Sequence, residues 1–413
     1  MSKELKYSWI IVLSFLLASC SSNNLDIISN LTVVNESNSD FNGVFEVNIA
    51  DIPNFDEVNN AIAFKGEIPI ATQWCDKNGD GTIDVLCVKL DAKAKSHTNI
   101  SIAKSENTSK YNNFKPETQA ELWHKTTGKF KNGKYVGGGN FSKFDSLRVP
   151  NGFSDHAYFI KYEGPGWESD KVGYRLYLDW RNAIDVFGKQ VSEPILEGVG
   201  MDGYESYHHL QDWGMDVLKV GKSLGIGSTG FWDGEKAVRV EKTDSVICRI
   251  LSSGILRSQV QIWYNGWDFN NSKVDLVSVK SIDAGSRMTH EHLVFNKPVK
   301  DICTGIRKEP NTQLINLLSP DKTWGCIATW GKQSLNDDML GLGIIYSMNQ
   351  KPILTEDENS HVVVFEEEGK EFNYYFLAAW EREKDGVKTK EEFIKYLKEQ
   401  LHRMEKPLLV VKN

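Results

Sequence analysis

The sequence predicts an all-β protein: a large antiparallel β-sandwich with one C-terminal helix. Short runs rich in β-branched and aromatic residues recur along the chain, and many alternate apolar and polar side chains, as a strand with one buried face does. These runs do not alternate with long helical patterns, which excludes a doubly wound α/β architecture. Only near the C-terminus does the apolar spacing change to that of a helix. A mutarotase-like supersandwich is one form such a fold takes. The length of 413 residues suits a single large β domain over 41–413, because all-β domains run long.

Strands are expected over 44–49, 83–90, 98–103, 174–180, 274–282, 288–295, 340–348, 362–366 and 374–380, with turns at 268–271 and 283–285. The helix is anchored by a capping box, Thr389 with Glu392. Phe393, Leu397, Leu401 and Met404 follow as an apolar stripe, and Pro407 marks the end.

The N-terminus reads as a targeting segment. Lys3 and Lys6 precede an apolar run from Trp9 to Leu17, too short for an ordinary membrane span. Leu17-Ala18-Ser19-Cys20 then places small residues before a cysteine, the pattern of a bacterial lipoprotein signal over 1–20 with lipidation at Cys20. Residues 21–40, rich in Asn and Ser, read as a tether. The expected location is the cell envelope, anchored by lipid, at the outer membrane or facing the periplasm. In that compartment Cys75 and Cys87, which flank a turn, could pair.

The net charge of -8 gives no basic footprint for nucleic acid. Twelve tryptophans suit either a core or sugar-stacking platforms. Two phosphate-loop resemblances fail. Gly221-Lys222-Ser223 lacks the glycine five positions earlier, where Asp216 stands, and the GxGxxG at 225–230 runs into a turn rather than a helix. His290 and His292 lie on one strand face at metal-ligand spacing, with no evident third ligand. Asp76, Asn78, Asp80 and Asp84 begin like a calcium loop, but position twelve is Cys87 rather than Glu, so an Asx-rich hairpin turn competes. Calcium is the one cofactor these residues leave open.

Two blocks carry the chemistry. In the first, Arg175, Tyr177, Asp179 and Arg181 share one strand face, opposite Tyr174, Leu176, Leu178 and Trp180. The second holds Tyr207, His208, His209 and Lys219. The stretches YEGPGWESDKVGYRLYLDWRNAIDVFGK (162–189), YHHLQDWGMDVLKVGKSLGIG (207–227) and YNGWDF (264–269) resemble a family of secreted Bacteroidota proteins, long catalogued as a domain of unknown function and found in polysaccharide-utilisation gene clusters. The resemblance covers nearly the whole mature chain. One member of that family dehydrates oligosaccharides of ulvan, and the chain looks close to it.

The resemblance implies removal of water across C4 and C5 of a glucuronic acid at the non-reducing end of a sulfated oligosaccharide, leaving a 4,5-unsaturated uronate. Such chemistry needs a base at C5, an acid at the C4 hydroxyl and cations or donors for the carboxylate. No catalytic residue is carried over from the family. The residue types suggest His208 or His209 as base, Tyr207 or Lys219 as acid, and Arg181 on the carboxylate, with Arg175 and Tyr177 in support. His124, His156 and His290 stand in reserve, and Trp213, Trp232 and Trp267 are candidate sugar platforms. A polysaccharide lyase and a non-catalytic glycan-binding lipoprotein are the competing expectations.

Overall fold

The computed structural model describes residues 26–52, 61–104, 108–270 and 272–412. The fold is all-β, with antiparallel sheets and one long helix. Its centre is a nine-stranded sheet whose middle strands are Arg257–Phe269, Ser272–Asp283, Met288–Val299, Gly369–Trp380 and Met339–Ser347. Period-two alternation sorts its side chains. Ile262, Leu276, Leu293, Leu342, Tyr374 and Phe376 point to the inner face and join the main core.

Two five-stranded sheets cover that inner face. The first runs Gly214–Asp216, Ile184–Lys189, Val172–Leu176, Gly166–Ser169, Thr118–Glu121. It docks through Trp167, whose indole N–H donates to Thr289 Oγ1 at 2.9 Å, and through Tyr174, whose hydroxyl donates to the Arg287 carbonyl at 2.6 Å. The second is built around Ile302–Arg307 and Ser360–Phe365. On the outer face of the nine-stranded sheet lies the helix Lys390–Glu405. Both hydrogen bonds of its capping box form. Phe393, Leu397 and Leu401 bury against Ala328, Trp330, Ile345, Leu377 and Ala379.

Beside the helix sits a smaller sandwich with its own core, including Leu31, Val33, Val47, Leu86, Val88, Ile100 and Ile102. The expected tether is therefore corrected. Asp26–Asn35 is a strand paired with Ser96–Lys104 on one side and with the edge strand Leu409–Lys412 on the other. The alternation of Leu31 and Val33 carries the strand through a polar-looking segment. Among the described residues this core is separate from the main one. Arg257 links the two units, with ion pairs to Glu46 and Asp283, both at 2.6 Å. Cys75 and Cys87 are both buried thiols, with sulfurs 3.5 Å apart. Cys20 and the expected signal segment lie outside the described residues.

Candidate functional site

The first five-stranded sheet has two unlike faces. Trp167, Tyr174, Leu176 and Val186 point inward to the core. The register places Arg175 directly opposite Asp185, and Phe187 opposite Asp216, on the other face. This brings together residues far apart in sequence. Arg175 Nη2 donates to Asp185 at 2.7 Å, Asp216 at 2.6 Å and the Tyr177 hydroxyl at 2.7 Å, while its Nη1 donates to the Tyr207 hydroxyl at 2.9 Å. The Tyr177 hydroxyl donates onward to Asp185 at 2.6 Å. The rings of Tyr177, Phe187 and Tyr207 surround the guanidinium.

Tyr207 and His208 enter on a single 3-10 turn, Ser206–His208. His208 is half-exposed, with Nε2 3.4 Å from Asp216 Oδ2. The hydrogen bond to Asp216 raises the pKa of the imidazole. Burial pushes the Tyr207 phenol up, so it keeps its proton. Burial, with the charge of Asp216, lifts Asp185 to about 6.

A second arginine lies alongside, its guanidinium 3.8 Å from the centre of the Tyr177 ring. Arg181 is held by Asp155 at 3.0 Å, by Glu163 at 2.8 Å and by Asp179. Together the cluster has two guanidiniums, Arg175 and Arg181, and five carboxylates: Asp155, Glu163, Asp179, Asp185 and Asp216. His156 adds a ring nitrogen 2.6 Å from Asp155, and its backbone N–H donates to Glu163 at 2.8 Å. Asp155, His156 and Glu163 are close enough to share a metal ion, but Arg181 already bonds both carboxylates. His156, Tyr158, Tyr162, Glu163 and Asn182 all take left-handed backbone angles, a concentration of strain around one spot. Gly164 has no alternative, because a Cβ there would meet the Leu176 carbonyl.

The structure sorts the expected residues. Arg175, Tyr177, Tyr207, His208, Arg181 and His156 come together, and Trp213 packs on Phe187 at their edge. Arg181 is corrected: three carboxylates occupy its guanidinium, so it is not an open partner for a substrate carboxylate. His209 and Lys219 are exposed and make no contact with the cluster. The strand expected over 174–180 ends at Leu176, and the chain then turns. Trp267 is a core residue, 1% exposed among Phe231, Phe269 and Phe295. Trp232 packs in a separate cluster with Leu224 and Cys303, and His124 stacks on Phe144. His290 faces the outer side of the nine-stranded sheet, with Nε2 3.0 Å from Asn373 Oδ1. In the calcium-like loop the Asp76 carboxylate accepts from the Gly79 and Gly81 amides, and those of Asp80 and Asp84 accept from Thr82 and Lys77. Asn78 accepts from Asp80, so this is an Asx-braced turn.

Sequence reasoning missed Asp185, Asp216, Glu163 and Trp180. The acids carry no local signal, since cross-strand register alone makes them partners of Arg175. Trp180, expected on the strand face of Tyr174, Leu176 and Leu178, lies beyond the end of that strand, 53% exposed, with the Arg239 guanidinium 5.6 Å from its ring.

Residues 34–410 match the family described as "Domain of unknown function (DUF4861)". The chain belongs to this family. Among curated proteins none matches. Two solved structures are similar over most of the chain. A protein in glycosyl hydrolase family 38 from Enterococcus faecalis shares 9% identity at a TM-score of 0.43, covering 95% of this chain and 49% of its own. An alpha-mannosidase from Enterococcus faecalis V583 shares 9% at a TM-score of 0.41, covering 93% and 46%. The chain spans about half the length of these structures.

Proposed function

We propose that the His208 cluster is the acid–base centre of a carbohydrate-active enzyme, and that its reaction is the C4–C5 dehydration implied by the family resemblance. The observation that carries this is the His208–Asp216–Arg175 chain: a half-exposed imidazole oriented by a buried carboxylate that an arginine holds in turn. A carboxylate in that position fixes ring orientation and stabilises the imidazolium formed when the ring takes a proton. His208 is the base for the C5 proton. Tyr207 is the acid for the departing C4 hydroxyl. Its oxygen accepts from Arg175, and its own proton has no acceptor among the described residues. Both Arg175 and Arg181 are occupied by carboxylates, so the uronate is met at the rim, where His156 lies exposed. The lipid anchor at Cys20 and the envelope location belong to the same proposal, as does a sulfated uronate oligosaccharide as partner.

The test is mass spectrometry of ulvan oligosaccharides, saturated at the non-reducing end, before and after incubation with residues 21–413. A product one water lighter at unchanged chain length, with new ultraviolet absorbance, supports dehydration. In that assay His208→Ala should lose about 10²–10⁴-fold in rate, while His209→Ala keeps the wild-type rate. Shorter chains would move the reaction to lyase or hydrolase, and full activity in His208→Ala would overturn the assignment of the base.

A further inference from the structure

A cavity of about 520 Å³ lies on the opposite side of the nine-stranded sheet from the His208 cluster, bounded by that sheet, the helix Lys390–Glu405 and the edge strand Phe41–Asn48 of the smaller sandwich. Its walls combine three aromatic rings, Phe41, Tyr375 and Tyr396, with polar groups held ready. The Gln400 side chain is 6% exposed, and its amide has no hydrogen-bond partner among the described residues. The Tyr375 hydroxyl is likewise uncommitted, and only Nε2 of His290 is engaged, by Asn373. Burial pushes the His290 imidazole down to about 3, so it is neutral, and with Nε2–H given to the Asn373 oxygen its Nδ1 is left as an acceptor.

Charge narrows the ligand. Lys77, Arg257 and Arg403 are equalled in number by Glu46, Asp283 and Glu399 around the cavity, with the Arg403 guanidinium lying over the Phe41 ring. Glu46 is bonded by both Lys77 and Arg257, and Asp283 by Arg257, so these charges are largely satisfied. The Gln400 amide, at the cavity wall, can both donate to and accept from a ligand hydroxyl. Aromatic faces beside uncharged donors and acceptors, with no net charge, fit a ring that has one apolar face and several hydroxyls.

We infer that this cavity is a second carbohydrate site, for a neutral sugar, formed where the two sandwiches and the helix meet and separate from the His208 centre. It does not depend on the reaction assigned to that centre. The test is saturation-transfer NMR on the intact protein with D-glucose, D-xylose, L-rhamnose and cellobiose as neutral probes and D-glucuronate as the charged one. At least one neutral probe should bind, and its affinity should fall tenfold or more in Gln400→Leu, which keeps the side-chain volume, and measurably in Tyr375→Phe. Binding should be unchanged in His208→Ala. Thermal melting identifies a variant that has lost its fold, and the milder Tyr375→Phe then carries the test. No binding of any neutral probe, binding indifferent to both substitutions, or preference for glucuronate would each overturn the inference.

Discussion

Two kinds of buried charge share the first five-stranded sheet, and they are built differently. Lys161 with Glu121 and Lys189 with Glu168 are one-to-one pairs, each at 2.6 Å and fully enclosed. Their spare capacity is filled by neutral partners: Lys161 donates to the Leu196 and Glu197 carbonyls, Glu168 accepts from the Ile195 and Leu196 amides, and Glu121 accepts from the Tyr162 hydroxyl and the Gln119 amide. The Arg175–Arg181 cluster has five carboxylates for two guanidiniums, with a rim open at His208 and His156. A matched pair has nothing left to bind or release, and here it braces the 195–197 loop against the sheet. An excess of buried carboxylate has to hold protons or attract cations, which is what a proton-transfer site requires.

The sharpest way to break this comparison is to remove one member of a matched pair. Lys189→Met leaves Glu168 charged and enclosed, and should cost roughly 3–5 kcal/mol of stability. Thermal and urea unfolding measure it. At temperatures where the variant is folded, its rate should stay close to wild type. A large loss of rate with little loss of stability would mean that the matched pairs belong to the chemistry after all.

The second prediction works from the other side. Asp216→Asn removes the charge that orients His208 but keeps the shape. It should cost about 1.5–3 kcal/mol of transition-state stabilisation, the worth of a hydrogen bond to a charged group, read as roughly a ten- to hundredfold fall in kcat. Because Asp216 raises the His208 pKa, the acidic limb of the pH–rate profile should also shift to lower pH. Loss of rate with an unmoved profile would leave Asp216 a purely structural partner of Arg175.

Much of the fold was legible because it rests on local periodicity. The alternation at 274–282, 288–295 and 374–380 falls within strands that do form, and the Thr389–Glu392 box caps the helix as expected. The smaller sandwich was half missed, because the Asn and Ser content around Leu31 and Val33 outweighed their alternation. The site was legible only where residue type is itself a signal, as with Arg175, Tyr207 and His208. Asp185 and Asp216 are ordinary acids until register sets them against Arg175, ten and 41 residues away. Arg181 was chosen for its chemistry, but the three carboxylates that hold it are supplied by a turn and by loops whose approach no spacing announces.

The smallest expected effect is on stability against pH, and it tests the acid excess directly. Asp185 is lifted from 3.8 to about 6 by burial and by Asp216. The folded state therefore holds this proton more tightly than the unfolded chain does, and stability falls as pH rises between those values. His208 works in a higher window. Its raised pKa gives a contribution that is fully present below the ordinary histidine value and lost as pH rises through the folded one. Melting temperatures taken in steps from pH 4 to 8 should separate the two. Asp185→Asn should flatten the decline below pH 6 and leave the higher window alone, whereas His208→Ala should do the reverse. If Asp185→Asn melts with the wild-type slope below pH 6, the carboxylates of the cluster are already balanced, and the distinction between matched pairs and an acid-rich site fails at its centre.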